Sequence, residues 1–93
     1  MMYEPGTTQL FRQLTRFYHQ WLSPEDGLEI VEVINAQNLQ PYEYGASLHA
    51  WTAKYDIGGV KYELFGDTDG TPQSVRVGII RDRYPEDGPV LKI

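Results

Sequence analysis

His19 and His49 are the only imidazoles in the chain, and there is no cysteine, so the usual nucleophiles, bases and soft metal ligands are scarce. Two histidines are too few for a three-histidine metal centre, and their separation matches no paired-ligand spacing. Catalysis by either would need a carboxylate or hydroxyl within hydrogen-bond reach, which sequence spacing does not establish. His19 falls on the polar side of a helical pattern and reads as a solvated side chain. His49 shares the alternation of Trp51 and reads as an edge-of-core residue bonded to backbone. Asp67-Thr68-Asp69-Gly70 begins like a calcium loop, but Pro72 then occupies the glycine position and Gly78 the bidentate-glutamate position, so the run is an Asp/Gly turn. Arg81-Asp82-Arg83-Tyr84 has the cations to read a phosphate or carboxylate, and equally the composition of a solvated strand end. No catalytic residue, metal site or cofactor is expected.

Charge and composition narrow the partners. Thirteen acidic against eight basic residues give a net charge of −5, which opposes attraction to phosphate backbones and anionic lipid. Neither nucleic acid nor membrane is expected as a partner. The 93 residues, 41% hydrophobic and 23% charged, suit one globular domain spanning 1–93 with a single core. Two Trp, seven Tyr and three Phe supply large buried areas to that core. The first apolar cluster is interrupted by Arg12, Gln13 and Arg16, so neither a signal peptide nor a membrane span is expected, and a cytoplasmic location is.

The elements that must position these side chains are legible in part. Gly58-Gly59 is a two-residue hairpin turn, with no following helix to make it a phosphate loop. Folding about it sets Ile57 opposite Val60, Asp56 opposite Lys61, Tyr55 opposite Tyr62 and Lys54 opposite Glu63, so one face is apolar and the other charged. Leu10, Phe11, Leu14, Phe17, Tyr18, Trp21 and Leu22 follow the spacing of one helical face, predicting a helix over about 8–22, capped by Thr7 or Thr8 and ended at Pro24. The following segment carries two signals. Ser23-Pro24-Glu25-Asp26 can open a helix, whereas Gly27 and the β-branched Ile30, Val31, Val33 and Ile34 favour a strand; the expectation is a strand over 28–37. Further strands are predicted at about 47–57, 60–66 and 74–83, followed by a turn-rich tail, 84–93, from which Val90, Leu91 and Ile93 can dock. Pairing Leu64 with Val75 and Tyr62 with Val77 would align Lys54, Glu63 and Arg76 in a charge row.

These elements predict an α+β fold: one N-terminal amphipathic helix on a four-stranded antiparallel sheet, αββββ in two layers, with the second sheet face wet. The run Leu28-Glu29-Ile30-Val31-Glu32-Val33-Ile34-Asn35-Ala36-Gln37, the connection ending at Gly45, then Leu48-His49-Ala50-Trp51 and Tyr62-Glu63-Leu64, resembles the cystatin-like order of one helix and four strands. The resemblance covers residues 8–83. Cystatin inhibitors carry Gln-x-Val-x-Gly in their first hairpin and Pro-Trp in their second. Here Gln40 to Gly45 lacks the first motif and Asp67 to Pro72 has no Trp, so protease inhibition is not implied.

Three functions compete. In the leading one, a noncatalytic module binds another protein through Tyr42, Glu43, Tyr44 and Gly45, or through an exposed sheet edge, which also permits a homodimer. Tyrosines on a connection bury large area at little entropic cost, although Tyr42 and Tyr44 can equally fold over the open end of the core. The second is a small-ligand or enzymatic pocket between helix and sheet, lined by Trp21, His49, Trp51, Tyr55 and Tyr62. The third is an acidic inhibitor or nucleic-acid mimic, which the interleaved Lys54, Lys61 and Arg76 oppose.

Overall fold

A computed structural model describes residues 5–39, 42–44, 50–67 and 74–93. In chain order the elements are α1 (Pro5–Leu14), β1 (His19–Trp21), α2 (Pro24–Ala36), β2 (Tyr42–Tyr44), β3 (Ala50–Ile57), β4 (Val60–Asp67) and β5 (Arg76–Arg81). The class is α+β. The strands form one antiparallel sheet in the order β1-β5-β4-β3-β2.

The helix predicted over 8–22 is corrected at both ends. It begins at Pro5, where a missing N–H costs nothing and φ is already helical. It stops at Leu14, beyond which Thr15, Arg16 and Phe17 donate to the carbonyls three residues back, at 3.3, 3.4 and 3.0 Å, and wind the helix out. His19–Trp21 then pairs with β5. Only the first part of the apolar stripe, Leu10, Phe11 and Leu14, is fully used by the core, while Tyr18 and Trp21 remain 65% and 51% exposed. Helical spacing does not distinguish a stripe that packs from one whose aromatic half completes a sheet, and β5 offered an edge for that half to pair.

The strand predicted over 28–37 is a helix, α2. Ser23 is its N-cap, with Oγ accepting from the Asp26 N–H at 3.2 Å; Pro24 occupies the first turn, and Glu25 and Asp26 place negative charge at the positive end of the macrodipole. Gly27, which argued for a strand, has a packing role: a Cβ there would already touch Val77 Cγ2 at 3.4 Å, so its absence lets α2 lie close on β5. Ile30 and Ile34, one turn apart, are buried. The C-terminus closes as a Schellman motif: Asn38 adopts φ 54° and donates to Asn35 O at 3.0 Å, and Leu39 donates to Ile34 O at 3.2 Å. Good caps and burial of one face outweigh the weak helix propensity of four β-branched residues.

The β3–β4 hairpin has the predicted register, from Ile57↔Val60 to Lys54↔Glu63, and continues to Trp51↔Gly66. The β4–β5 register differs by four residues, with Leu64 opposite Ile79 and Tyr62 opposite Arg81. An even displacement keeps the same side chains inward, so alternation was blind to it. Packing chose it. Phe65 faces Gly78 and Trp51 faces Gly66, so each of these rings lies over a glycine. A Cβ on Gly66 would fall 2.5 Å from Trp51 Cζ2, and one on Gly78 would overlap the Phe65 ring. The Lys54–Glu63–Arg76 row therefore does not form: Arg76 Nε approaches Asp67 Oδ1 at 3.4 Å, and Glu63 Oε1 is met by Arg83 Nε at 3.3 Å.

The inner sheet face carries Trp51, Ala53, Tyr55, Tyr62, Leu64, Val77 and Ile79, joined in one core by Leu10, Phe11 and Leu14 of α1 and Ile30 and Ile34 of α2. The outer face is not uniformly wet, as expected from its charges. Thr52, Lys54 and Glu63 on that face are buried. The tail crosses it: Lys54 Nζ donates to the carbonyls of Pro85 and Glu86, the latter at 2.9 Å, beneath the Tyr84 ring at 5.0 Å. Gly88 lies against Thr52, and Val90 pairs in parallel with Lys54 beside β3. Leu91 then enters the core, and Gln37 grips Lys92 by two hydrogen bonds of 2.9 Å, one to its carbonyl and one from its N–H.

Candidate binding surface

The tail covers only the β3–β4 half of the outer face. On the other half His19 and Trp21 of β1 flank Phe65 of β4, with ring centroids 6.3 and 5.1 Å from it in edge-on geometry. Phe65 can lie down between them because Gly78 of the intervening strand has no side chain. The Arg76 guanidinium sits 4.5 Å over the Trp21 ring. Such a cation–π contact holds an exposed indole flat while leaving its edge open. Trp21, Leu22, Pro24, Val75 and Arg76 line an open groove of about 230 Å³ beside it.

The backbone at this place is also open. β1 ends the sheet. Tyr18 O accepts from Arg81 N at 2.8 Å and Leu22 N donates to Val77 O at 2.8 Å, while Gln20 faces Ile79. Antiparallel alternation then turns the N–H and C=O of His19 and Trp21 away from β5, and among the described residues nothing pairs with them. An unpaired edge beside an exposed aromatic has the chemistry of strand addition: backbone groups for affinity, a groove for one side chain.

The residues predicted for a site separate. Tyr42, Glu43 and Tyr44 form β2, the opposite edge of the sheet, with Tyr42 in register with Thr52 and Tyr44 with Ala50. Gly45 and His49 lie outside the described residues, as do the residues after Asp67 in the calcium-like run. Trp51, Tyr55 and Tyr62 are together in the core, but Trp21 is on the opposite sheet face, so these four line no common pocket. Tyr55 contacts Phe11 edge-on at 4.7 Å and stacks on Tyr62 at 4.8 Å. Its hydroxyl is buried with no hydrogen-bond partner among the described residues. Burial, and secondarily the neighbouring Tyr62 phenol, pushes its pKa above the usual tyrosine value.

Sequence reasoning overlooked the pairing of Trp21 with Phe65, because it placed them on a helix and a strand of separate layers. The available signal was Gly78 inside an alternating strand, which marks a close approach by something large. His19 is exposed, as its polar setting suggested. Arg81 lies 3.8 Å from Asp82, and Arg83 is taken by Glu63, so carboxylates already attend the cations of that run. Among the described residues no three of His, Asp or Glu are grouped to hold a metal ion, and no helix is long and apolar enough to cross a membrane. Compared with known proteins, the chain matches no family model, no curated protein and no solved structure.

Proposed function

We propose that this chain is a noncatalytic protein-binding module of the cytoplasm that takes an extended segment of its partner along β1. The observation that carries the reading is the coincidence, at one sheet edge, of outward N–H and C=O groups on His19 and Trp21 with the exposed Trp21 ring and its groove. The helices back the sheet as a second layer, through Leu10, Phe11, Leu14, Ile30 and Ile34. Backbone pairing supplies affinity that tolerates many sequences, and the Trp21–Arg76 groove selects an apolar side chain.

A displayed random-peptide library selected on the purified chain tests this. Selected peptides should perturb the amide NMR signals of His19, Gln20, Trp21, Phe65 and Arg76, and Trp21→Ala should weaken them by about tenfold or more, as truncation of an aromatic anchor does. Failure to select any peptide, or peptides whose perturbations map elsewhere, would remove the reading.

A further inference from the structure

We infer that the β1 edge also pairs with the β1 edge of a second copy of this chain, across a twofold axis at Gln20, to make one continuous sheet. This rests on the reading of β1 as an open binding edge, and goes beyond it in naming the occupant.

Three observations select a second copy. The outward groups are self-complementary: in an antiparallel pair centred on Gln20, His19 of each copy faces Trp21 of the other. Both donors and both acceptors on each strand are then satisfied at once. The strand carries nothing that forbids pairing, since His19-Gln20-Trp21 has no formal charge and no proline, the devices that usually blunt an edge. The flanks are oppositely charged. Arg16 precedes the strand, stacked 4.8 Å over the Phe17 ring and with no carboxylate partner among the described residues. Glu25 and Asp26 follow it in the first turn of α2. An antiparallel partner brings the Arg16 end of one copy to the Glu25–Asp26 end of the other, twice by symmetry, whereas a parallel partner would set like charges together. On the outer face each exposed Trp21 gains the His19 imidazole of the neighbour, lengthening the Trp21–Phe65–His19 cluster across the axis.

The ladder is short, so the association is weak and set by concentration. Sedimentation of the intact chain from about 10 μM to about 1 mM should show the weight-average mass rising from 10.7 kDa toward twice that value. Amide hydrogen exchange over the same range supplies the residue-level readout. Leu22, bonded within the chain, should be protected throughout, while His19 and Trp21 should become protected only as the dimer fills. Arg16→Glu, a surface change that leaves the fold intact by circular dichroism, should weaken the dimer about tenfold, and adding Glu25→Lys should restore it. A chain that stays at 10.7 kDa throughout, or a dimer in which His19 and Trp21 still exchange freely, overturns the inference. Neither result touches peptide binding by the monomer, which the library selection reads separately.

Discussion

Tyr55→Phe should stabilise this protein at neutral pH and flatten its alkaline unfolding. Tyr55 is 0% exposed and its hydroxyl has no partner among the described residues, while the ring contacts to Phe11 at 4.7 Å and Tyr62 at 4.8 Å do not involve the oxygen. A buried hydroxyl without a hydrogen bond costs about 1–3 kcal/mol, so removing it while keeping the ring should gain about 1 kcal/mol. For a chain of this size that gain raises Tm by about 4–8 °C. The pH dependence follows from the raised pKa. In the unfolded chain Tyr55 ionises near 10.0, whereas the folded protein holds the proton to higher pH. Above pH 10 the unfolded state therefore binds fewer protons than the native state, and stability falls as pH rises. One such group lowers the unfolding free energy by about 1.4 kcal/mol between pH 9 and pH 11. Urea unfolding of wild type and Tyr55→Phe at pH 8, 9, 10 and 11 isolates that term, because the other tyrosines are common to both. The gap between the two proteins should start near 1 kcal/mol and widen by about as much again or more at pH 11. A destabilised Tyr55→Phe with a pH profile parallel to wild type would show that the hydroxyl is satisfied in the folded state, and would refute the reasoning.

Other perturbations probe the corrected elements. Ser23→Ala removes the Oγ that caps α2 and should cost about 1 kcal/mol in urea unfolding, with Ser23→Asp restoring most of it; an unchanged midpoint would mean that Pro24 and the acidic first turn suffice. Gly78→Ala drives a methyl into the Phe65 ring and should cost about 1–3 kcal/mol. Combining it with Phe65→Ala should recover part of that loss, a non-additivity read from a double-mutant cycle, and strict additivity would show that the two residues do not share space.

What was legible depended on whether the physics was local. The Gly58-Gly59 hairpin and its register followed from turn chemistry, alternation and cross-strand charge, three signals acting within ten residues. The β4–β5 register was not, because displacement by four preserves alternation and the choice lay with Phe65 and Trp51 finding glycines across the sheet. For 24–36 the capping residues already spelled a helix, against β-branched residues that spelled a strand; burial of Ile30 and Ile34 on β5 through Gly27 decided it. Of the candidate site, the sequence marked Trp21 as important and an exposed edge as a binding mode, without joining them.

The amino-acid order alone determined the α+β class, the central hairpin and its apolar face of Tyr55, Ile57, Val60 and Tyr62, of which Ile57 and Val60 are only half-buried, since each arises from periodicity or turns that neighbours impose on one another. Tertiary structure decided the rest: that residues 19–21 leave the helix to finish the sheet, that the tail straps Lys54 and Glu63 under cover, and that Trp21 faces outward. Those outcomes depend on contacts between segments far apart in the chain, whose free energies are settled only when the surfaces meet.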